Sequence, residues 1–156
     1  MNRLLLIFFC ISLSSTAQRK GNGLSLNTVE FNDLKLTVTE GIYNITTIGK
    51  DPYVFTEALA SNLEKNITHL SFEYFCPTGV DFIEVYFYPL EEGRDPIMVR
   101  DVGSTEGWVE FKIDISKKLE SWGKKGDFLR LDFGAAPDLN IQIRNLQLRS
   151  MTEREK

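Results

Sequence analysis

From Leu34 onward apolar and polar residues change places at nearly every step, in short runs broken by glycine, proline and acidic turns. Side chains of an extended strand point alternately to opposite sides, so a period of two means strands with one dry and one wet face. Leu34, Leu36 and Val38 alternate with Lys35, Thr37 and Thr39, and Glu40-Gly41 turns the chain into a strand over residues 43–48. Leu70, Phe72 and Tyr74 alternate with His69, Ser71, Glu73 and Phe75. Pro77-Thr78-Gly79 then leads into residues 82–88, where Ile83, Val85 and Phe87 hold the apolar phase. A weaker strand is predicted over 97–102, and Val109, Phe111 and Ile113 mark the next. Residues 128–133 and 140–148 complete the set. In the last, Ile141 and Ile143 keep one phase while Leu146 and Leu148 keep the other, which predicts a β-bulge at Arg144-Asn145.

Helix is scarce. Residues 116–122 fit two turns, with Ser116 as N-cap, Leu119 and Trp122 on one side and Gly123 as the stop. Residues 56–66 carry Ala58, Leu59 and Leu63 at helical spacing, and Ile67 follows, which suits a short helix or an Ω-like loop. About eight short strands without a long helix predict an all-β, two-sheet antiparallel sandwich or jelly roll with one or two short helices. Its core should be Leu34/Leu36/Val38, Leu70/Phe72/Tyr74, Ile83/Val85/Phe87 and Val109/Phe111/Ile113.

At 156 residues the chain is one ordinary domain, and 42% hydrophobic residues suffice for a core. The net charge of −4 argues against a nucleic-acid binder, which would show a basic stripe. Residues 1–17 read as an export signal: Arg3 is positive, residues 4–13 are almost wholly apolar, and Ser15-Thr16-Ala17 supplies small residues for cleavage. That apolar run reaches about 15 Å as a helix, half of the roughly 30 Å a bilayer core demands, so no membrane span is expected. The domain should occupy 18–150 and residues 151–156 a linker stub, in which Thr152 and Glu155 have capping-box spacing. The localisation expected is secreted, in the periplasm or at the cell surface of a Gram-negative bacterium. After cleavage Cys76 is the one remaining cysteine, which excludes an internal disulfide and suits a packed small hydrophobe.

Catalytic chemistry has little to stand on. The single histidine, His69, lacks a partner for metal or nucleophile work and is expected at the surface. Glu73, Glu84, Glu110 and Asp132 take the outward phase of their strands, where carboxylates usually lie on a solvated face beside Lys112 and Arg130. No catalytic residue, metal ligand or cofactor is assigned. Asp51 and Asp132 are the carboxylates a structural Ca²⁺ would use, but no dense acidic loop accompanies them.

The aromatics say more. Tyr86 and Tyr88 share a phase with Glu84, Phe75 with Glu73, Trp108 with Glu110, and Phe128 with Arg130 and Asp132. Large rings therefore stand among hydrogen-bonding side chains on outward faces, an arrangement that suits sugars. The plainer reading is that loops cover some of these rings and make a second, smaller core. Asp51-Pro52-Tyr53, in what reads as a long connection, and Arg144-Asn145 add further polar candidates.

Three stretches resemble a known module. They are Asp51-Pro52-Tyr53-Val54-Phe55-Thr56-Glu57, then Leu70-Ser71-Phe72-Glu73-Tyr74-Phe75-Cys76-Pro77, and residues 126–134 continued by residues 141–149. They are similar to an N-terminal, non-catalytic module that precedes catalytic domains in secreted polysaccharide-degrading proteins of Bacteroidetes. The resemblance implies a galactose-binding-like jelly roll that binds poly- or oligosaccharide without chemistry of its own. The expected site joins Trp108, Tyr86 and Tyr88 as stacking rings to Arg130, Asp132 and Glu73 as hydroxyl partners. Stacking needs an open ring, so the Trp108 indole should lie at the surface within about 10 Å of Tyr86 or Tyr88. The alternative is a structural or interaction domain whose aromatic face docks on a glycan-degrading enzyme module or another partner protein.

Overall fold

The computed structural model describes residues 21–59, 66–90, 96–122, 127–152 and 155. The expected export signal, much of the helical stretch within 56–66 and most of the loop after Leu90 lie outside the described residues. The strands are β1 (Gly21–Gly23), β2 (Leu26–Asn32), β3 (Leu34–Thr39), β4 (Ile42–Thr47), β5 (Tyr53–Thr56), β6 (His69–Phe75), β7 (Val80–Tyr88), β8 (Ile97–Val102), β9 (Val109–Asp114), β10 (Phe128–Phe133) and β11 (Asn140–Arg149). One helix, α1 (Ser116–Trp122), follows β9.

The strands form two sheets in which every pair is antiparallel, as the alternation predicts. The first has the order β3-β4-β11-β6-β9, with β1 also paired to β11. The second has the order β2-β5-β10-β7-β8. Their inner faces meet in one core, where Leu70, Phe72 and Tyr74 of the first sheet pack with Ile83, Val85 and Leu131 of the second. Nine of the twelve core residues named from the sequence are buried. Leu36 is half-buried, while Val38 and Val109 are 47% and 44% exposed. Both of these lie on edge strands of the first sheet, where no neighbouring strand closes over them.

The phase change in β11 is a bulge: its register on β6 shifts between Arg144 and Gln147, and Asn145 takes φ 54°. Ile141, Ile143, Leu146 and Leu148 are all buried as a result. Three strands escaped the alternation. β1 and β5 are short, and in β2 the Asn27 side chain accepts the N–H groups of Val29 and Glu30, interrupting the ladder. The segment read as a connection around Tyr53 is thus an inner strand of the second sheet.

Helix α1 starts at Ser116, the residue expected to cap it, and so one residue earlier than expected. The Ile115 carbonyl accepts the Leu119 N–H, and the Asp114 carboxylate accepts the Ser116 N–H, so Ser116 is the first helical residue. Trp122 is buried against Phe87, and its indole N–H donates to the Tyr88 carbonyl at 2.7 Å. Cys76 is fully buried. His69 is 5% exposed rather than at the surface, because β9 and the end of β11 flank it. No described helix is long and apolar enough to cross a membrane.

Candidate functional site

The outer face of the second sheet is built by register. Arg130 lies opposite Phe55 on one side and Tyr86 on the other; Asp132 lies opposite Tyr53 and Glu84; Phe128 lies opposite Tyr88. Because residues two apart on a strand share a face, all these side chains leave the sheet together. Their inward neighbours Val54, Leu129, Leu131, Val85 and Phe87 fill the core.

Arg130 stands at the centre. Its Nε and one terminal nitrogen donate to the two oxygens of Asp132 at 2.8 and 2.6 Å, and the same terminal nitrogen reaches Asp51 at 3.1 Å. The guanidinium carbon lies 3.7 Å from the Tyr53 ring centroid and 5.0 Å from that of Tyr86. A cation over an aromatic face gains about 0.5–2 kcal/mol depending on its desolvation. Burial works against the Arg130 charge, but the Asp132 hydrogen bonds and the Asp132 and Asp51 charges outweigh it and hold the guanidinium protonated. Burial pushes the Asp132 carboxyl up against the pull of Arg130. With two charge-assisted bonds to a permanently charged group, we take the pair as ionised at neutral pH. Burial also pushes the Tyr86 phenol up, helped by the Glu84 and Asp132 charges. It remains a neutral hydroxyl, 3.2 Å from Glu84.

Beside this centre the rings pack on one another. Tyr88 stacks on Phe128 with centroids 4.9 Å apart, and Phe55 meets Phe128, Tyr88 and Tyr53 edge-on at 5.2–5.5 Å. Tyr53, Phe55, Tyr86, Tyr88 and Phe128 are all half-buried, so each keeps part of its surface in solvent. The array offers fixed rings, a fixed guanidinium and neutral hydroxyls. That is the chemistry of recognition. Among the described residues no group of three or more His, Cys, Asp or Glu is placed to hold a metal, and Arg130 stands between the two carboxylates named for Ca²⁺.

The structure brings together four of the six residues expected at the site: Tyr86, Tyr88, Arg130 and Asp132. Asp132 is buried, its oxygens engaged by Arg130, so it positions that side chain rather than facing solvent. Trp108 and Glu73 lie elsewhere. Trp108 is half-buried beside Phe75, with the Arg144 guanidinium 4.1 Å over its ring. Glu73 pairs with Arg144 and accepts from the Asn145 amide at 2.7 Å. Both belong to the outer face of the first sheet, because β6 pairs with β9 while β7 pairs with β10. Alternation tells which side of its own strand a residue takes, not which sheet the strand joins. Tyr53 and Phe55 are the additions. The signal for them was the alternation of Tyr53 and Phe55 with Val54 and Thr56, too short to stand out.

No family model and no curated protein sequence matches the chain. Solved structures do. A family 29 carbohydrate-binding module from Piromyces equi superposes with a TM-score of 0.52 at 13% identity, over 86% of this chain and 85% of that one. A lysine-to-alanine variant of a family 29 module gives 0.54 at 14% identity, over 82% of each chain. Another such variant, complexed with cellulohexaose, gives 0.50 at 18% identity, over 81% of this chain and 80% of that one. Others carry alanine in place of a tyrosine, an arginine or an aspartate, the last two lying two positions apart, and were determined to probe ligand recognition. At these identities the likeness is one of fold: the chain has the β-sandwich of carbohydrate-binding modules.

Proposed function

We propose that this chain is a non-catalytic carbohydrate-binding module of a secreted glycan-degradation system, holding a poly- or oligosaccharide on the outer face of its second sheet. The observation that carries the reading is the Arg130 guanidinium set against the Tyr53 and Tyr86 rings and locked by Asp132. A pyranose presents an apolar C–H face that packs on an aromatic ring, while its hydroxyls seek donors and acceptors in the ring plane. Tyr53, Tyr86, Tyr88 and Phe128 supply the rings; Arg130, Glu84 and the Tyr86 hydroxyl supply the hydrogen bonds. Because Arg130 is already ordered, binding sacrifices little of its rotamer freedom.

Two further facts support the reading. The sandwich is that of modules named for carbohydrate binding, one of them solved with cellulohexaose. The residue types altered there to probe recognition, an arginine with an aspartate two positions on and a tyrosine, occur here as Arg130, Asp132 and Tyr53. Secretion rests on the signal-like residues 1–17. Affinity electrophoresis through gels containing plant and host polysaccharides, with cellulohexaose as soluble competitor, tests the proposal. Retardation that weakens in Tyr53→Ala and in Tyr86→Ala is expected. Unretarded migration of correctly folded protein in every gel would remove it, and the reading of an aromatic face that docks on a protein would take its place.

A further inference from the structure

The first sheet's outer face carries an arrangement that the second sheet's site does not use. Register sets Thr37 opposite Asn44 and Gln142 between Asn44 and Phe75, and Trp108 stands beside Phe75 just before β9. These five side chains make one row across the strands, roughly 19 Å long at 4.7–4.9 Å per strand step. None of the five is ionisable. The Gln142 amide donates to the Asn44 side-chain oxygen at 2.8 Å, and in the adjoining row the Thr46 hydroxyl donates to Asn140 at 3.0 Å. A side-chain amide has two donors and an acceptor with two lone pairs, so each amide is held in place yet keeps spare hydrogen-bonding capacity. At the row's end Arg144 pins one face of the Trp108 indole, and Glu73, itself held by the Asn145 amide, pins Arg144.

Most charges close to the row are matched, while Lys35 in the adjoining row and Asp114 at the far end of β9 stand exposed. Arg144 pairs with Glu73, Lys112 with Glu155, and Arg149 with Glu110 and Glu155. A row without a charge of its own, rich in ordered amides and ending in an aromatic pair, suits a neutral linear ligand with many hydroxyls. It does not suit a polyanion or an acidic peptide.

We propose that this row is a second glycan-binding surface for a neutral linear saccharide, back to back with the first, with Trp108 as its stacking ring and Gln142 and Asn44 as its hydroxyl partners. A module with two opposed faces joins two chains, where a one-faced module only coats one.

The test is a titration of the isotope-labelled chain with cellulohexaose and with hydroxyethylcellulose, followed by NMR at the Trp108 indole N–H and the Asn44 and Gln142 amides. The expected result is saturable shifts there, separate from shifts at Tyr53 and Arg130. Trp108→Ala should abolish the first set, leave the second, halve the calorimetric stoichiometry, and end the ability of the wild type to cross-link hydroxyethylcellulose. Gln142→Ala, which keeps the indole and its packing, should weaken the same set about tenfold or more, and covers the case in which Trp108→Ala does not fold. Shifts confined to the Tyr53–Arg130 face would overturn this proposal and leave the first standing. Shifts confined to the Trp108 row would uphold it and overturn the first. No shifts at either would overturn both.

Discussion

Arg149 is the largest fully buried side chain described, and its guanidinium answers to four groups at once: Ser71, Glu110, Glu155 and the Ser150 carbonyl. The hydrogen bonds from Arg149, Lys112 and Thr152 hold the Glu155 carboxyl well below the usual carboxylate range. A depressed carboxylate contributes stability that is present above its unfolded value and is lost only as pH falls through the folded one. Glu155→Gln leaves a buried cation short of acceptors and should cost about 1–3 kcal/mol, read from urea unfolding. The neighbouring His69 works in the same sense at higher pH. Burial lowers its pKa from 6.5, so below that value the unfolded chain binds more protons than the folded one. Stability should therefore fall on acidification from pH 6.5, by at most about 1.4 kcal/mol per pH unit for one proton. His69→Gln should flatten that slope between about pH 6.5 and 5, where the ordinary carboxylates have yet to titrate. In the core, Phe72 is 1% exposed and stacks on Phe111 at 4.8 Å. Phe72→Ala should cost roughly 3–5 kcal/mol, a large part of a domain's usual stability, and shift the urea midpoint accordingly.

Strands declare themselves when their alternation is long enough to outlast the noise of single residues. β6, β7 and β9 did so, and the outward direction of Tyr86, Tyr88, Arg130 and Asp132 was legible from phase alone, while the pairing of β10 with β7 brought them together. β5 has four residues and stands directly after Asp51-Pro52, so its two outward rings were legible only once β10 was seen beside it. What no single strand carries is its partner. Trp108 and Tyr86 both read as outward, and pairing alone separates their sheets. The bulge in β11 was legible because a register slip must invert the apolar phase, and Leu146 and Leu148 record the inversion. Asn145 holds φ 54° there, a conformation in which a Cβ is disfavoured and which glycine adopts freely. Asn145→Ala should destabilise by about 1–2 kcal/mol, and Asn145→Gly by less, in thermal melts. Since the Asn145 amide also holds Glu73, both variants should loosen Arg144 over Trp108.

Across the whole molecule, a net charge of −4 and paired surface ions leave little for a charged ligand to seek. Glycan affinity should change less than about threefold between roughly 0.05 and 0.5 M salt, where a polyanion binder would lose orders of magnitude. Calorimetry at the two concentrations decides it. The topology has a temporal consequence as well. β10 and β11, the last two strands of the described chain, are the middle strands of the second and first sheets. As the chain grows from its N-terminus, β3 with β4 and β6 with β9 are halves without a centre, and so are β2 with β5 and β7 with β8. Only local hairpins can form early, since each sheet must wait for its keystone. A nascent chain stalled before Asn140 should be digested by protease as an open polymer, and the same chain carried past Arg149 should resist. Such an order keeps the sandwich threadable until its central strands have been made.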